Sequence, residues 1–89
     1  MNVYQQQIRT LQEGIFPASE SGRYFYSSYA KAYRFAYDYI DSIDGCYDIR
    51  EKGDRSCDTI IDFSFNPEEE GGEYTEVTKR IIISKEKVS

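Results

Sequence analysis

At 89 residues, with 39% hydrophobic and 16% aromatic content, the chain has material for one hydrophobic core, which excludes both a second domain and a disordered chain. A single domain over residues 1–89 is expected. The net charge of −5 is unevenly spread: residues 1–37 carry +2, residues 38–76 carry −10 and residues 77–89 carry +3. With eleven Lys and Arg against sixteen Asp and Glu, direct nucleic-acid binding is disfavoured, because phosphate contacts need clustered cations.

The first segment, MNVYQQQIRTLQEG, has neither the basic start nor the apolar stretch of a signal peptide. No apolar run reaches the ~18 residues that cross a bilayer. The expectation is a cytoplasmic protein without membrane contact, its Cys46 and Cys57 held as reduced thiols. A hairpin that brought these two cysteines face to face would permit an intrachain disulfide, which is the second reading.

Tyr4, Ile8, Leu11 and Ile15 follow one another at spacings of four, three and four, which predicts a short helix over about 3–13, ended by Gly14 and Pro17. Ala18 to Gly22 reads as a loop in which Ser19 and Ser21 offer caps. From Arg23 to Ile43 the apolar positions Phe25, Tyr29, Ala32, Tyr33, Ala36, Ile40 and Ile43 recur every three or four residues, so a long amphipathic helix is expected, closed by Asp44-Gly45. The period then changes to two. Tyr47 and Ile49 alternate with Asp48 and Arg50, Lys52-Gly53-Asp54 has turn chemistry, and Thr59, Ile61, Phe63 and Phe65 alternate with their neighbours, which predicts a hairpin. After the acidic loop Glu68-Glu69-Glu70-Gly71-Gly72, Tyr74 to Ser84 reads as a strand, with Lys79, Arg80, Lys85 and Lys87 guarding a sticky edge. The fold expected is α+β: two helices, one short and N-terminal, one long and Tyr-rich, packed on a three-stranded antiparallel β-meander.

The chain has no His, so the commonest general base and the usual partner of a catalytic Ser or Cys are missing. Two Cys without His do not complete a four-ligand zinc site, and there is no GxGxxG, no P-loop and no calcium loop. The carboxylate pairs Asp38/Asp41 and Asp58/Asp62 fall on polar sides of their elements, where solvation is their ordinary state. Neither an enzyme nor a cofactor is expected.

An acidic block beside more rings than one small sheet needs to cover points to a protein that acts by contact. The expectation is a small non-enzymatic inhibitor or adaptor docking on a larger protein with a basic surface. No family resemblance is carried by the residues; phage anti-defence and bacterial immunity proteins are analogous in composition alone. The docking surface is expected between Arg34 and Asp62, using Arg34, Phe35, Asp38, Tyr39, Asp41 and Asp44 on the long helix and its end, with Asp58 and Asp62 on an outward strand face. The same chain admits other readings. One is a Tyr-lined pocket for a small ligand between helix and sheet, with Arg23 or Arg34 as polar contacts; another is a nucleic-acid mimic whose acids imitate phosphates; a third is a self-assembling component.

Overall fold

The computed structural model describes residues 2–13, 18–53, 58–66 and 76–87. In chain order the elements are β1 (Asn2–Glu13), β2 (Ser19–Tyr26), α1 (Tyr29–Asp41), β3 (Tyr47–Lys52), β4 (Thr59–Phe65) and β5 (Val77–Lys87). The five strands form one antiparallel sheet in the order β2-β1-β5-β4-β3. The expected architecture is therefore corrected. One helix lies on a five-stranded sheet, in place of two helices on a three-stranded meander; the meander β3-β4-β5 is present, and β1 and β2 extend it.

The short helix expected over 3–13 is strand β1. A spacing of four returns a side chain to the same side in a strand as well as in a helix, so Tyr4 and Ile8 satisfy both patterns. What decides is pairing, because β1 bonds to β2 on one side and to β5 on the other. Tertiary pairing overrides the helix preference of the Gln5-Gln6-Gln7 run. Gln6 enters the core at 2% exposure, and its Nε2 donates to the carbonyl of Ala32 at 2.8 Å.

The long helix expected from Arg23 is also shorter. Arg23 to Tyr26 belong to β2, where Tyr24 and Tyr26 pair with Gln6 and Tyr4. The helix begins after Ser28, an extended N-cap (φ −145°, ψ 154°) whose Oγ accepts from the Lys31 amide at 3.2 Å. Within α1, Ala32, Ala36 and Ile40 turn inward at intervals of four and are buried. Two alanines in that row let the helix come close to the sheet. They meet Ile8, Ile61, Phe63, Ile81 and Ile83, and these eight residues form the core. Each large apolar side chain buried there contributes about 1.5–3 kcal/mol.

Strand β5 lies at the centre of the sheet, between β1 and β4, so its cations do not guard an edge. Ile81 and Ile83 face α1 while Ile82 points to the other side. That other side is uncovered by the helix. Directly paired residues there make a row Glu20, Arg9, Arg80, Asp62, Arg50 across all five strands. The neighbouring row reads Arg23, Gln7, Ile82, Ile60, Lys52.

Strand β3 carries an irregularity between Tyr47 and Arg50, where Asp48 adopts φ 53°. The simple alternation expected for Tyr47 to Arg50 is broken there, and Ile49 is left exposed. Cys46 holds a free thiol that donates weakly to the Ile40 carbonyl at 3.6 Å. Cys57 and the acidic loop from Glu68 to Gly72 lie outside the described residues.

Candidate functional site

The inward turn of Ala32, Ala36 and Ile40 leaves Arg34, Phe35, Asp38 and Asp41 exposed on α1, with Asp44 exposed in the turn that follows. Phe35 is 46% exposed, and its ring stacks on Tyr26 of β2 with centroids 5.3 Å apart. Tyr39 behaves differently. It is half-buried, meets Phe63 of β4 edge-on at 6.2 Å, and has Lys79 Nζ 6.0 Å from its ring centroid. The two rings expected to act as a pair therefore reach different strands, and Tyr39 is bound into the packing.

The two strand acids do not join the helix surface. Asp62 lies on the sheet face turned away from α1, where the Arg80 guanidinium donates to both of its oxygens, Nε to Oδ1 at 2.8 Å and Nη2 to Oδ2 at 3.0 Å. Asp58 precedes β4 and is exposed. Arg34, Phe35, Asp38, Asp41 and Asp44 thus form one surface, Tyr39 borders it, and the hairpin acids stand apart.

The charges on this surface oppose the helix. A helix favours acids at its start and cations at its end, by about 0.3–1 kcal/mol each. In α1 no acid occupies the first turn and no cation the last; Lys31 stands near the start, and Asp38 and Asp41 near the end. The arrangement lowers helix stability. The interactions within α1 give no compensation for it.

A second cluster escaped the sequence reading. Tyr29, Tyr33 and Tyr37 run along the flank of α1 with neighbouring centroids 5.8 and 5.1 Å apart, and the hydroxyls of Tyr33 and Tyr37 both donate to Oε1 of Glu51 on β3, at 2.8 and 2.6 Å. Tyr29 bonds to Thr59 Oγ1 at 2.8 Å, and Tyr47 donates to Glu76. The signal in the sequence is the Tyr repeat at intervals of four beside the core row; its acceptor becomes visible only once β3 is placed at the sheet edge. Burial, followed by the bond to Glu51, pushes the Tyr37 phenol well above its ordinary value, and the bond to Glu51 is the main cause of the rise at Tyr33. Both phenols stay protonated at neutral pH. They are donors tying helix to strand, and neither is a base.

That clasp has a titration signature. Because the folded-state values are raised, the stability the phenols contribute is intact below their ordinary value of 10.0 and is lost as the pH climbs through the raised ones. Glu51→Gln removes the carboxylate and should bring two tyrosines back toward ordinary ionisation in a phenolate-absorbance titration. An unchanged curve in that variant would show that Glu51 does not hold them.

Among the described residues no group of three His, Cys, Asp or Glu is placed to hold a metal ion, and no helix is long and apolar enough to cross a membrane. A groove of about 190 Å³ opens beside Arg50, Glu51, Lys52 and Asp62 at the β3–β4 edge. Arg23, one of the two polar contacts expected of a Tyr-lined pocket, lies on the sheet face away from α1, and the other, Arg34, is exposed on α1. Comparison with protein-family models, curated proteins and solved structures gave no match.

Proposed function

We propose that this chain is a small non-enzymatic binding protein of the cytoplasm, an inhibitor or adaptor that docks on a larger protein with a basic surface through the outer side of α1. The observation that carries the reading is the set of acids placed against the helix dipole beside a half-exposed ring: Asp38 and Asp41 at the C-terminal end, Asp44 just beyond, and Phe35 stacked on Tyr26. Acids of this kind steer a basic partner into encounter, and a ring held by a stacking neighbour enters the interface with little entropy left to lose.

The reading makes stability and binding move in opposite directions. Asp41→Lys removes a charge that opposes the dipole and should stabilise the fold by about 0.5 kcal/mol. The triple variant Asp38→Lys, Asp41→Lys, Asp44→Lys should slow association with the partner captured from the native host about tenfold or more, and flatten its salt dependence. Phe35→Ala should speed dissociation at least about tenfold while losing only the Tyr26 stack, about 1 kcal/mol, from the fold. Association of the triple variant at the native rate, or a Phe35→Ala protein that melts early yet binds normally, would end this reading.

A further inference from the structure

We infer that the sheet face turned away from α1 is a second docking surface, shaped for a carboxylate-rich segment of a partner protein. The inference does not rest on the helix reading, because it concerns different residues on the other side of the sheet. In a chain of net charge −5, this face carries Arg9, Arg23, Arg50, Lys52 and Arg80, opposed by the carboxylates Glu20, Asp62 and Glu86. Arg9 and Arg80 stand directly opposite each other on adjacent strands. Like charges in that position repel; Asp62 already offsets Arg80, and a bound carboxylate would offset Arg9.

Two of the three carboxylates of the face are already engaged, and Glu86 lies at its far end on β5. Glu20 accepts from Arg23 Nε at 2.8 Å, and Asp62 holds Arg80 by both oxygens. Arg9, Arg50 and Lys52 supply the remaining positive charge. Four of the five cations are arginines, whose planar fork matches a carboxylate with two parallel bonds. In the neighbouring row the half-buried Ile60 and Ile82 pair at the centre, with Lys52 and Arg23 at its ends. An apolar centre inside a charged rim is the anatomy of a protein interface.

The interleaving favours a protein over a nucleic acid. Glu20 and Asp62 alternate with the cations, so a continuous run of phosphates laid across the strands would meet carboxylates. A single strand of nucleic acid also wants several rings to stack on, and among the described residues the large exposed ring on this face is Phe25, 60% exposed at one corner.

Fluorescence anisotropy at low salt tests the inference with two labelled probes, a glutamate-rich peptide carrying a central leucine pair and an oligothymidylate of matched length. The full chain should bind the peptide. The double variant Arg9→Glu, Lys52→Glu should weaken that binding at least about tenfold, and the neutral pair Arg9→Gln, Lys52→Gln by an intermediate factor. The charge-neutral Ala30→Gln, at an exposed position of α1, should leave it unchanged. Absence of peptide binding, or equal binding by wild type and both double variants when each is shown to be folded by circular dichroism, overturns the proposal. Tighter binding of the oligothymidylate than of the peptide overturns it in favour of nucleic acid. A mass that rises with concentration without any probe, and falls back in the Arg9→Glu, Lys52→Glu variant, overturns it in favour of a second copy of this chain.

Discussion

Replacing Gln6 by Glu is expected to cost about 3 kcal/mol at neutral pH and to recover most of that loss below about pH 5. Gln6 is 2% exposed, and its amide donates to the Ala32 carbonyl. An ionised carboxylate there has no proton to give, faces a carbonyl oxygen and has lost its water. Burial raises the folded-state value of such a carboxyl above the ordinary ~4.3. Below that value both folded and unfolded chains carry the proton, the acid donates to Ala32 as the amide did, and the penalty vanishes. As the pH rises the unfolded chain ionises first, and the loss grows until the folded-state value is passed. Urea unfolding of Gln6→Glu and wild type at pH 4 and pH 7 reads the difference directly. A gap of equal size at both pH values would show that packing, and not charge, is what Gln6 supplies.

Gly53→Ala is the other large loss, about 3 kcal/mol. Gly53 has φ 95°, and a Cβ built on it would lie 2.0 Å from the Asp58 carbonyl oxygen and 3.0 Å from Thr59 Cα. Both are backbone atoms, so the strand itself must move. Gly45 is the natural control: its φ is 77°, yet an added Cβ meets nothing within 4 Å. Gly45→Ala should therefore carry only the left-handed conformational cost of about 1–2 kcal/mol. Thermal melts of the two variants side by side should separate them by several degrees; equal melting temperatures would remove the contact from the explanation.

What the sequence discloses and what it hides follow from which contacts are local. Thr59, Ile61 and Phe63 alternate cleanly because β4 has one face on the core, and that strand was legible. Ala32, Ala36 and Ile40 gave the buried side of α1 for the same reason. Residues 3–13 imitate a helix because a spacing of four fits both helix and strand, and because Gln6, polar and buried, interrupts the alternation that marks a strand. The Ser27-Ser28 break before α1 was hidden inside an aromatic run that suits either state. Phe35 was visible as a ring off the core row. That Asp62 would face away from Asp38 required the sheet, as did the gathering of Arg9, Arg23, Arg50, Lys52 and Arg80 on one face, since these come from four strands distant in the chain. Charge summed along the chain showed one acidic block. The pleat distributes that charge over two opposite surfaces.

The pairing of β1 with β5 sets the order in which the protein assembles. Asn2 lies opposite Lys87 and Glu13 opposite Val77, so the middle of the sheet is sealed by the two strands most distant in the chain. Closing so long a loop loses entropy before any contact rewards it, and small proteins dominated by distant strand pairs fold in milliseconds to seconds. During synthesis β1 and β2 emerge first, but the strand that covers the inner edge of β1 emerges last. Until then Ile8 and the apolar side of α1 have no finished sheet to rest on. The nascent chain presents an open strand edge to whatever is nearby, and a chaperone that shields such edges would raise its yield more than one that acts on the completed chain.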